Sequence, residues 1–228
     1  ADSVEREVGL NREAGKIAAS TVTVKGEKRA TTGDIVSKAR SVGIEQAVEP
    51  EDVVKAVGKF KDLTGQTNRA LELMPDLAKL ATAFGGDIGE LAENAGNIAL
   101  SLPEGCSNAD VMRLLRVQTR QGAVGAVELK DMAKYGARLT AGAGLFEGDR
   151  STNIATMGAF AQVARQRGGA ASAAEATLAA QRFGTDIQKK SGELEKMGIA
   201  TKGKDGTLRD PRKILADMLD KTGGDVTK

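Results

Sequence analysis

A chain of 228 residues with 40% hydrophobic residues can bury a core and form one or two domains. Its 33 basic and 31 acidic residues leave a net charge of +2, which excludes the strong field of a nucleic-acid or anionic-membrane binder. Histidine is absent and cysteine occurs once, which removes His-based triads, the usual zinc sites and any internal disulfide. Aromatic residues make up only 3% and there is no Trp, so the core must come from Leu, Ile, Val, Met and Ala. Such side chains let helices approach closely but bury little apolar area each. Most of the 28 glycines sit where a helix would stop, as at Gly65, Gly85-Gly86, Gly168-Gly169 and Gly198. The chain opens on Ala1-Asp2-Ser3 with no apolar leader segment and no initiator Met, so it is expected to be a piece of something longer or a processed product. No apolar run is long enough for a bilayer-spanning helix.

Residues 1–30 read as an N-terminal arm or connector. Val4, Val8 and Ile17 hint at a helix that Gly9 and Gly15 interrupt, and Thr21-Val-Thr-Val24 has the letters of a short strand. From residue 31 to 228 a multi-helical module is expected, with a subdivision near residues 142–150. Ile35, Val36, Ala39 and Val42 lie at helical spacing, and Gly43 ends that run. Pro50 suits the first position of the next helix, whose Val53, Val54, Val57 and Phe60 share a face. Another helix starts near Gln66, and Pro75 either kinks it or opens a new one. Asp87 is placed to cap a helix whose stripe runs through Ile88, Leu91, Ala95 and Ile98. Asn108 is the expected cap of the following one. Gly122 and Gly125 bracket a turn, and residues 141–144 read as a flexible connection.

The last third is the most strongly punctuated. Ile154, Met157, Ala161 and Ala164 share a face. Ser172 and Glu175 form a capping-box pair. Ala176, Ala180, Phe183, Ile187, Leu194 and Met197 continue the helical spacing, with Gly184 and Gly192 as weak points and Gly198 as the stop. Asp205-Gly206 marks a turn or small hairpin, and Asp210-Pro211 is a cap followed by proline in the first helical turn. The fold class expected is all-α: a compact array of short Ala/Leu-rich helices with little or no strand. The residues expected to matter most are these structural caps and stops, namely Asp87, Ser172, Glu175, Gly198, Asp210 and Pro211.

Reactive chemistry is sparse. Gly198 to Asp205 nearly fits a phosphate loop, but Asp205 replaces the hydroxyl residue and a helix, not a strand, precedes it; a helix stop and turn fits better. Cys106 without any histidine reads as a small loop residue. Residues 108–136 mimic a helix-turn-helix carrying Arg113, Arg116 and Arg120, yet mixed charge on the second helix favours ordinary packing over DNA reading. Residues 151–178 carry few charges, which suits a buried Ala-rich hairpin better than a membrane-perturbing one. No catalytic, cofactor-binding or metal-ligating residues are assigned, no cofactor is expected, and the chain is not read as an enzyme.

The order of the motifs suggests a family. Leu71-Glu-Leu-Met-Pro75, Phe84-Gly-Gly-Asp87, Gln121-Gly-Ala-Val124 and Met157-Gly-Ala-Phe-Ala-Gln-Val163 come first. Leu194-Glu-Lys-Met-Gly-Ile199, then Asp205-Gly-Thr-Leu-Arg-Asp210 and Ile214-Leu215, follow in the same order. Over roughly residues 65–220 this series resembles the conserved helical region of bacteriophage tail tape measure (minor tail) proteins. The resemblance implies a structural module of such a protein, involved in tail assembly, length determination and genome ejection. The implied partners are tail tube and tail-tip proteins and tail assembly chaperones, with room for a homo-oligomer or contact with the host membrane and no specific nucleic acid. It also implies a place in the virion, in the tail lumen, and in the host cytoplasm during assembly. Two other readings stand beside it: a membrane-active module aiding DNA passage through the host envelope, and a helical DNA-binding regulator.

Overall fold

The computed structural model describes residues 2–21, 28–203 and 205–223. Among these residues the chain forms eleven helices and no strand, an all-α fold. The strand-like letters at Thr21-Val-Thr-Val24 lie, from Val22 on, outside the described residues. Two compact units divide the chain, Ala1–Leu115 and Arg116–Lys228.

The first unit holds α1 (Asp2–Ala19), α2 (Thr32–Gln46), α3 (Pro50–Thr64), α4 (Thr67–Phe84), α5 (Ile88–Ser101) and the start of α6 (Asn108–Val124). Residues 1–30 are therefore not all connector: Leu10, Ala14 and Ala18 of α1 are buried, and α1 packs on α2 and α3. The interrupting glycines are tolerated because a helix interior accepts Gly at about 1 kcal/mol when tertiary packing compensates. At the centre is α3, which meets α1, α2, α4 and α5. Its Val53, Val54, Ala56, Val57 and Phe60 are all buried, more than one amphipathic stripe would supply. Pro50 stands in its first turn, where no N–H is needed. Small residues on α5 let it lie close to α3: a Cβ at Gly96 would stand 2.9 Å from Leu63 Cδ1.

Two sequence expectations change here. Gly43 does not end α2; the helix runs on to Gln46 and turns at Ala47, which takes a left-handed φ of 54°. Gly43 is instead the seat of a close return of the chain, since a Cβ there would stand 2.7 Å from the Val48 carbonyl oxygen and 3.1 Å from the Pro50 ring. Pro75 does not open a new helix, the second of its two expected roles, but sits inside a single helix, α4.

The second unit holds the rest of α6, then α7 (Leu129–Ala143), α8 (Arg150–Gln166), α9 (Ala173–Lys189), α10 (Ser191–Lys196) and α11 (Pro211–Thr222). Helices α7, α8 and α9 pack on one another around Met132, Leu139, Ile154, Met157, Ala176 and Ala180, all fully buried. Glycines expected as breaks again serve as contact points. Gly122 lies inside α6 and Gly142 inside α7, where a Cβ at 142 would stand 2.9 Å from Gln181 Cα on α9. Gly184, inside α9, makes room for Leu145 and the Phe146 ring. The one tyrosine, Tyr135 on α7, lies under the Arg138 guanidinium at 4.7 Å and near Lys134 Nζ at 5.6 Å. Asp205-Gly206 turns a miniature ladder: Lys202 and Phe146 each bridge to Leu208, and Gly203 donates its N–H to the Thr207 carbonyl at 2.7 Å.

Candidate interaction surfaces

The caps set the helix starts and so the surfaces. The Asp87 carboxylate accepts the Glu90 N–H at 2.8 Å, and the Ser172 hydroxyl oxygen accepts the Glu175 N–H at 3.2 Å. Glu175 reaches back to the Ala171 N–H at 2.8 Å, one residue before the cap itself. The Asp210 carboxylate accepts the Arg212 N–H at 2.9 Å and also pairs with its guanidinium, while Pro211 is buried in the first turn of α11. Gly198 follows α10 with φ of 80°, and a Cβ there would meet Lys221 Nζ at 3.2 Å. Asp87 lies in the first unit and the other five in the second, so these residues serve separate helix ends and do not meet in one site.

The cap of α6 stands one residue before the position expected from the sequence. Ser107, not Asn108, opens α6: its hydroxyl accepts the Asp110 N–H at 3.2 Å, and Asp110 accepts from the Ser107 N–H and hydroxyl. Asn108 instead takes the Arg69 Nε–H at 2.8 Å and donates to Glu72 at 3.0 Å. Both reach over the first unit's cleft, about 800 Å³, lined also by Lys28, Arg29 and Cys106. Arg69 also donates to the Cys106 carbonyl at 2.8 Å.

Several capping carboxylates sit below the ordinary aspartate value of 3.8. At Asp34 the cause is the Thr31 backbone N–H and then its hydroxyl; at Asp110 it is the Ser107 hydroxyl and then its N–H. At Asp210 the cause is the bond from Arg212. A depressed folded-state value contributes stability that is fully present above 3.8 and is lost as the pH falls through the folded values. The urea midpoint is therefore expected to hold from neutrality to about pH 5 and to fall below it. A midpoint unchanged between pH 7 and about pH 2.5 would contradict this assignment.

Among the described residues no cluster of three or more Asp, Glu or Cys could hold a metal ion. The loop-like segment after Gly198 has Thr201 buried and Lys202 in the miniature ladder; Lys204 lies outside the described residues. Arg113 is spent on an ion pair with Asp110 at 3.7 Å. The charge-poor stretch 151–178 is explained by burial: Ile154, Met157 and Ala161 of α8 are fully covered, as are Ala176 and Thr177 of α9. No helix among the described residues is long and apolar enough to cross a membrane.

The feature sequence reasoning missed is an apolar cleft of about 660 Å³ along α9. Its walls carry Phe160, Leu178, Phe183, Ile187, Leu194 and Met218. Phe183 lies between two other rings, 4.7 Å from Phe160 and 5.9 Å from Phe146. Phe183 and Ile187 continue the helical spacing of Ala176 and Ala180, but nothing in that pattern tells that Phe183 stays partly uncovered.

A family model described as phage-related minor tail protein matches residues 37–227. No curated protein and no solved structure matches the chain.

Proposed function

Since the chain belongs to the phage-related minor tail protein family, we propose that it is a structural module of a tail tape measure protein. A structural role in the phage tail follows from the family; the finer role in tail assembly, length determination and genome ejection is our reading. The observation that carries it is the extent of the family match, which runs through both compact units. The motifs behind the resemblance also fall on the folded framework. Leu71, Leu73 and Met74 are core residues of α4, Met157 is core on α8, and Asp210 caps α11. Ala- and Gly-lined helix contacts fit a scaffold better than a reaction centre. The partners proposed are tail tube and tail-tip proteins and tail assembly chaperones.

The test is an in-frame deletion of residues 37–227 in the phage that encodes the chain, with tails imaged by electron microscopy. Shortened, irregular or missing tails are expected. Normal-length tails on infectious particles would overturn the reading.

A further inference from the structure

We infer that α10, the miniature ladder and α11 make up a strap that lets go as one cooperative unit while α7, α8 and α9 stay folded. The parts of the strap are tied to one another. The Ile199 N–H donates to the Leu194 carbonyl at 2.9 Å, which joins the ladder to α10. Within the ladder the Arg209 N–H donates to the Thr201 carbonyl at 2.9 Å. The Arg209 guanidinium then reaches the Ala200 carbonyl at 2.6 Å and the Asp217 carboxylate of α11 at 2.9 Å. Breaking one of these ties loosens the next, so the three pieces share one fate.

The hold on the rest of the second unit is thinner. Leu208 is the clasp: its N–H donates to the Leu145 carbonyl at 3.2 Å, its carbonyl accepts the Glu147 N–H at 2.6 Å, and its side chain is buried. Helix α11 rests on α8 and buries only Pro211 and Ile214, while α10 rests on α9 and buries only Leu194. With six residues, α10 is far below the length of about 12–15 at which a helix begins to stand alone in water. A segment with so few buried apolar side chains opens at a lower free energy than the core it rests on. The hinge is Lys190, which closes α9 and opens α10 at φ −96° and ψ 8° without a side-chain cap. Two residues on, a Cβ at Gly192 would meet nothing within 4 Å, so the chain has room to swing. Leu194 and Met218 belong to the strap and wall the α9 cleft. Its release therefore strips one side from the cleft and bares an apolar surface that the closed chain covers in part.

The inference stands apart from the tail reading, because it concerns the second unit alone and is read on the purified chain. Hydrogen exchange of the full 228-residue chain, followed by mass spectrometry at neutral pH, tests it. Peptides from α10, the ladder and α11 are expected to share one opening equilibrium, with exchange at least about tenfold faster than in α7 to α9. Leu208→Ala removes the buried clasp and is expected to quicken strap exchange by at least about tenfold, with α7 to α9 still protected. Ala133→Gly, a mild change inside α7, is expected to quicken exchange in α7 to α9 by about fivefold and leave the strap unmoved. A strap that exchanges at the same rate as α7 to α9, or that quickens with them in Ala133→Gly, would overturn the proposal.

Discussion

Replacing Phe60 by alanine is expected to lower the unfolding free energy by about 3–5 kcal/mol, the range for emptying a large aromatic site in a core that collapses only in part. Phe60 is fully buried on α3, the helix that touches four others in the first unit. The α5 helix packed on α3 buries short side chains, such as Ala92 and Ala95, which have no spare length to fill a void. Phe84 supplies the control: it is 44% exposed at the end of α4, so Phe84→Ala should cost much less. Urea unfolding of both variants checks this. Equal midpoints would mean that α3 is not the hub of its unit.

The second large effect is expected at Gln162. Its amide braces the turn after α6 in three places: Oε1 accepts the Val127 N–H at 2.8 Å, and Nε2 donates to the Gln121 and Val127 carbonyls at 3.0 Å each. Gln121 answers from α6 by donating to the Ala155 carbonyl at 2.8 Å. The two amides fit only because Gly125 and Gly158 carry no Cβ; a side chain at either would run into Gln162 or Gln121 respectively. Gln162→Leu keeps the bulk and removes every bond, leaving the Val127 amide and carbonyl without their partner. Each such buried group costs about 1–3 kcal/mol, so a loss of about 3 kcal/mol is expected. Gln166→Leu, at an exposed site on the same helix, should change stability by less than about 0.5 kcal/mol. A Gln162→Leu midpoint equal to that of Gln166→Leu would refute the bracing role.

The helix starts were readable because capping is a local event. Pro50, Asp87, Ser172 with Glu175, and Asp210 with Pro211 announce themselves within four residues of the backbone groups they serve. Glycine was the ambiguous letter. Gly65 and Gly85 do stop helices, with left-handed φ of 73° and 66°. Gly43, Gly142 and Gly184 lie inside helices; at Gly142 and Gly184 a neighbour far away in sequence occupies the missing Cβ's place, and at Gly43 it is the chain just past the helix end, Val48 and Pro50. No pattern within one helix carries that information. The cleft on α9 was hidden for the same reason, since its walls come from four helices separated by loops of different length. Gln162 is one polar letter in a charge-poor helix, and its three backbone bonds go to residues 35 and 41 positions away, which leave no mark in the local pattern.

The lone tyrosine has a practical consequence. With no tryptophan in the chain, Tyr135 is the dominant source of intrinsic ultraviolet emission, and it sits on α7 in the second unit beneath Arg138. Tyrosine emission therefore reports the melting of one unit, whereas far-ultraviolet circular dichroism sums over the helices of both. Coincident curves from the two signals would mean that the halves give way together, and displaced curves would date each collapse separately.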